Sequence, residues 1–117
     1  MTAGIYDTEI EQGATLNISV TWKDSNSTPI NLTGYTARSQ FRRTYESTTT
    51  VLSLTTENGG IALGGTAGTI QLTASATTTA ALTAPSNGVW DLELVSAGGT
   101  VTRLLQGGYQ VTPEATR

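Results

Sequence analysis

The sequence has no cysteine and no histidine, and only 13% of its 117 residues are charged. Without cysteine there are no disulfides. Without either residue the common zinc sites and the Ser-His and Cys-His nucleophile arrangements have nothing to be built from. Carboxylates remain for acid–base work, so catalysis is disfavoured rather than excluded. The formal net charge of −3 offers no general grip on a phosphate backbone. No apolar run approaches the length of a membrane span, and the amino terminus lacks a basic-then-apolar signal. The chain is expected to be soluble, not exported by the usual route, and free of cofactor, metal, nucleic acid and membrane.

What is abundant is threonine, about one residue in five, together with 13 glycines. The branched Cβ of Thr suits a pleated strand, and Gly supplies tight turns. Leu16, Ile18, Val20 and Trp22 alternate with Thr15, Asn17, Ser19 and Thr21, which predicts a strand with one buried and one wet face. After a polar turn containing Pro29, Ala37, Ser39 and Phe41 alternate with Arg38, Gln40 and Arg42. These two strands are expected to belong to one sheet. Asp24-Ser25-Asn26 opens like a calcium loop, but Pro29 stands where such a loop needs its bending Gly.

Further along, Val51–Thr55 reads as a short strand. Ile61–Leu63 and Thr69–Thr73 read as a hairpin around a Gly-rich turn that lacks the Lys of a phosphate loop. Ser75 with Thr77–Thr79 predicts one capped helical turn crossing between sheets. Trp90, Leu92 and Leu94 line one face of the clearest hairpin, whose tip at Gly98 sets Glu93 opposite Arg103 as an expected cross-strand pair. Gly107-Gly108 predicts a bulge or bend.

Short strands with turns every eight to twelve residues predict an all-β, antiparallel immunoglobulin-like β-sandwich of about seven to eight strands. It would span 12–113, with Trp22, Phe41 and Trp90 in its core and a short tail at 114–117. Residues 1–11, with Asp7, Glu9 and Glu11, read as an arm ordered against a partner, or else as a frayed terminus or short edge strand. On the arm reading, truncation of 1–11 leaves a folded domain that fails to assemble. The basic pair Arg42-Arg43 beside Phe41 and Tyr45 reads as a solvated strand face rather than a single-stranded nucleic-acid site.

The order of features then carries a resemblance. Gln12-Gly13 precedes a strand ending in Trp22. Leu32-Thr33-Gly34-Tyr35-Thr36-Ala37-Arg38, Gly68-Thr69-Ile70 and Trp90-Asp91-Leu92-Glu93-Leu94 follow, with a terminal Val-Thr-Pro-Glu at 111–114. Over about residues 12–114 the chain resembles small structural proteins of tailed bacteriophages. It is similar to the immunoglobulin-like amino-terminal module of the baseplate upper protein family, which docks receptor-binding parts onto the tail. In that family a long coiled or fibrous region follows, whereas this sequence stops at Arg117.

The resemblance implies a noncatalytic virion component, assembled in the host bacterial cytoplasm. Its partners would be other phage virion proteins of the tail, baseplate or capsid, met in multiple copies of a symmetric assembly. Tyr6, Arg42, Arg43, Tyr45 and Tyr109 are the candidate contact residues. Two alternatives stand beside an adaptor at the baseplate or fibre junction. One is a capsid decoration protein on the phage head. The other is a carbohydrate-binding module at the host surface using Trp22 or Trp90 as a stacking platform.

Overall fold

The computed structural model describes residues 3–115, and its strands follow the expected alternation closely. In chain order they are β1 (Gly4–Ile5), β2 (Thr8–Glu11), β3 (Leu16–Thr21), β4 (Thr36–Arg42), β5 (Leu52–Thr55), β6 (Ile61–Leu63), β7 (Thr69–Ala74), β8 (Ser86–Val95) and β9 (Val101–Thr112). One helix, α1 (Ala76–Ala80), is capped by the Ser75 side chain, which accepts from the Thr78 amide. Two sheets pack as an immunoglobulin-like sandwich, one in the order β5-β4-β8-β9 with β1 and β2 both beside β9, the other β3-β7-β6. The inward residues of both sheets, among them Ile18, Phe41, Ile70, Leu72, Trp90, Leu92 and Val111, form one core.

Three sequence-based expectations need correction. β3 and β4 lie in opposite sheets, not one. The chain between them crosses the end of the sandwich, with Leu32 buried there and its amide bonded to the Gly65 carbonyl. Glu93 does stand opposite Arg103 in register, but its ion pair runs the other way, to Arg38 on β4 at 2.7 Å. Both β4 and β9 flank β8, and the shorter approach is from β4. The irregularity in β9 falls between Leu92 and Glu93 of the facing strand, upstream of Gly107-Gly108. It moves the inward face of β9 from Tyr109 and Val111 to Leu104.

Gly107 answers a different need. Residues 4–11 adopt the edge-strand alternative: β1 and β2 run parallel to β9, Gly4 beside Leu105 and Thr8 to Glu11 beside Tyr109 to Thr112. Ile10 is fully buried, so the boundary expected at Gln12 falls inside the sandwich. Between β1 and β2 the chain steps inward. The Tyr6 carbonyl accepts a hydrogen bond from Trp90 Nε1 at 2.8 Å, and Asp7 Oδ1 accepts from the Gly108 amide at 2.9 Å. Trp90 is paired with Gly107, and a Cβ at 107 would stand on the Tyr6 carbonyl oxygen. Only a glycine leaves the indole a clear path across β9 to the arm. Gly107→Ala should therefore displace residues 5–7 and cost about 1–3 kcal/mol, measured by urea unfolding. An unchanged midpoint would show that the arm does not depend on this crossing.

The loop from β2 to β3 is tied to α1. Thr79, buried although polar, donates to the Ala14 carbonyl at 2.8 Å and accepts from the Gly13 amide at 3.1 Å. At the far edge, Asn58 occupies the free side of β5. Its Oδ1 accepts from the amides of Thr55 and Gly60, and its Nδ2 donates to the Ser53 carbonyl. A side-chain amide thus takes the place of a neighbouring strand and blunts that edge.

Candidate functional site

The outer face of the larger sheet carries five of the chain's 15 charged residues in three neighbouring strands. β4 presents Arg38, Gln40 and Arg42, β8 presents Asp91 and Glu93, and β9 presents Arg103 and Gln106, because successive strand residues point to opposite faces. Arg38 Nε meets Glu93 Oε1 at 2.7 Å, and Arg103 Nε lies 3.8 Å from Asp91 Oδ2. Arg42 sends one guanidinium nitrogen to the Ser47 carbonyl at 2.6 Å and the other to Gln40 Oε1 at 2.7 Å. It thereby holds the loop that carries Tyr45. Gln40, Arg42, Tyr45, Val89, Asp91 and Arg103 surround an open depression of about 270 Å³.

Burial pushes the Asp91 carboxyl above its ordinary value, Glu93 pushes it further, and Arg103, Arg42 and Arg38 pull against both. In the unfolded chain Asp91 ionises first as pH rises, so the stability of the protonated folded form is lost through and above the usual carboxylate range. Asp91→Asn removes that loss. The melting temperature of the variant relative to the native protein should therefore rise between about pH 4 and pH 6. A difference that is flat or shrinks over that range in thermal melts would contradict the assignment.

The five expected contact residues do not form one patch. Tyr6 is 41% exposed, with its ring edge-on to Trp90 at 6.0 Å. Arg42 and Tyr45 meet at the depression, where Tyr45 is 61% exposed. Arg43, one residue past β4, is exposed, and its charge bears on the Tyr109 hydroxyl rather than on the depression. Tyr109 is not a surface residue. It faces inward on β9, edge-on to Phe41 at 5.3 Å, and its hydroxyl is buried without a partner among the described residues. It packs against Gly88, where a Cβ would come within 2.7 Å of the tyrosine ring. Burial raises the Tyr109 pKa, with Arg43 opposing.

Arg38, Gln40, Asp91 and Arg103 join the site unannounced. The alternation of each strand sets them outward, but that β4 and β9 both flank β8 is not a local signal. The opposite face of the sandwich differs in kind: Asn17, Ser19 and Thr21 of β3 lie beside Thr69, Gln71 and Thr73 of β7, without a charge. Among the described residues no group of three or more His, Cys, Asp or Glu is placed to hold a metal ion. Among the same residues no helix is long and apolar enough to cross a membrane.

Set against models of known protein families the chain matches none, and no curated protein sequence matches it either.

Proposed function

We propose that this protein is a noncatalytic structural subunit of a tailed-bacteriophage particle, an adaptor at the baseplate or fibre junction that works through repeated protein–protein contacts. The observation that carries the reading is the two-faced sandwich. One broad face is uncharged and rich in Thr, Ser and Gln, the other is a ladder of ion pairs, and both are held on a rigid sheet scaffold. A module of this kind can meet two different neighbours at once, and symmetric repetition adds modest contacts into a firm assembly. The motif order that resembles the baseplate upper protein module supports the placement. The glycan reading has less to stand on, because Trp90 is 1% exposed and Trp22 is half-buried with its ring edge-on to Tyr35.

The test is the copy number of the protein in purified particles, by quantitative mass spectrometry against the major capsid protein. A few to a few dozen copies per particle is the expected result. A ratio near one to the capsid protein would move the protein to the head as a decoration subunit. Absence from particles would overturn the structural reading.

A further inference from the structure

The outer face of the larger sheet is polarised across its width. At one side lies the arm, with Asp7, Glu9 and Glu11, all exposed; at the other lies β4, continuing into Arg42, Arg43 and Tyr45. β9 and β8 run between them. We infer that this face is a homodimer interface, closed by a twofold axis parallel to the strands and midway between β8 and β9.

Such an axis leaves height along the strands unchanged and exchanges the two sides. The partner's arm then overlies β4, and the partner's β9 overlies β8. The strand register agrees with this exchange. Asp7 is bonded to Gly108, which is level with Val89, which is level with Arg42. Glu9 and Glu11 stand beside Gln110 and Thr112, the height at which the chain leaves β4 through Arg43 and Tyr45. Each acidic group of one copy therefore arrives over the basic end of the other.

The central rows are complementary by the same operation, because β8 and β9 are already in register. Val89 faces the gap left by Gly108, and Val95 faces Val101, which is 49% exposed in the single chain. Asn87 faces Gln110, an amide opposite an amide, and Glu93 faces Arg103. No row brings two like charges together. Strand spacing and rise give a footprint on the order of 500 Å² per copy, at the small end for specific interfaces. Dimerisation is thus expected to depend on protein concentration, and on salt through its outer rows. A dimer in solution does not require the protein to be a virion component, so this inference and the particle reading fail separately.

Sedimentation equilibrium of the full chain and of two charge-reversed variants tests it. One variant carries Glu9→Lys with Glu11→Lys, and the other Arg42→Glu with Arg43→Glu. Circular dichroism confirms that each is folded. Alone, each sets like charges against one another and should weaken the dimer by more than about 100-fold. Mixed in equal amounts they restore both contacts, and a heterodimer should form. A native chain that stays monomeric to about 1 mM would overturn the proposal. So would a native dimer that both variants retain, or a mixture in which the two variants stay apart.

Discussion

Removing residues 1–11 should leave a chain that no longer folds stably on its own. The truncated protein loses Ile10, a fully buried side chain of the core, whose equivalent in a large-to-small substitution is about 2–5 kcal/mol. It also strips Trp90 Nε1 of its acceptor, the Tyr6 carbonyl, and an unsatisfied buried donor costs about 1–3 kcal/mol. β9 becomes an open edge along both segments now covered by β1 and β2. Together these losses approach the whole stability of an ordinary domain, about 5–15 kcal/mol. The expected readout is a fragment with little strand signal by circular dichroism and no cooperative melt. A fragment that melts like the full chain would mean that the arm is dispensable, as the arm reading of the sequence has it.

Trp90→Ala should have the next largest effect. The indole stacks on Phe41 at 5.4 Å, lies edge-on to Tyr6, and is 1% exposed. Deleting a buried tryptophan opens a cavity and costs about 3–5 kcal/mol. Here the loss should also loosen the arm, since the same side chain holds the Tyr6 carbonyl. Trp90→Phe separates the two contributions, because it keeps most of the stacking and loses only the hydrogen bond. Urea midpoints should fall in the order native, Trp90→Phe, Trp90→Ala. Equal midpoints for the two variants would assign the whole effect to the hydrogen bond and none to packing.

Both predictions depend on contacts far apart in the chain, and that is where the sequence was least legible. Asp7 and Gly108 meet across 101 positions, and nothing in a polar, acidic amino terminus announces a parallel partner at the other end. Tyr109 stands among the candidate contact residues, yet it belongs to the core. Its burial follows from the inward parity of β9, and the irregularity near Leu104 hides that parity from simple counting. Local features were easier. The alternation of Leu16 to Thr21, the Ser75 cap, the β6–β7 hairpin and the register of Glu93 against Arg103 each follow from spacing of a few residues. The charged face is intermediate. Its members are individually visible as outward positions, but Arg38 meets Glu93 only because β8 is inserted beside β4.

The glycine pair shows how a single residue type can mislead and inform at once. Gly107-Gly108 reads as a bend, whereas the chain there is a straight ladder. Gly107 is needed for what approaches it, the Tyr6 carbonyl and the Asp7 carboxylate, whereas a Cβ at Gly108 would meet nothing closer than 3.5 Å. A close backbone approach, as well as a bulge, is a reason for glycine in a strand.

The claim on which the rest depends is that residues 4–11 are a strand of the sandwich and not a free arm, since the acidic edge has a fixed height only in that case. Hydrogen exchange of the Trp90 indole N–H, followed by NMR in the intact protein, tests it most directly. Exchange should be slowed to the level set by global unfolding, because the Tyr6 carbonyl is released only when the fold opens. Indole exchange much faster than that of the β8 amides around it would contradict the account and return the amino terminus to solvent.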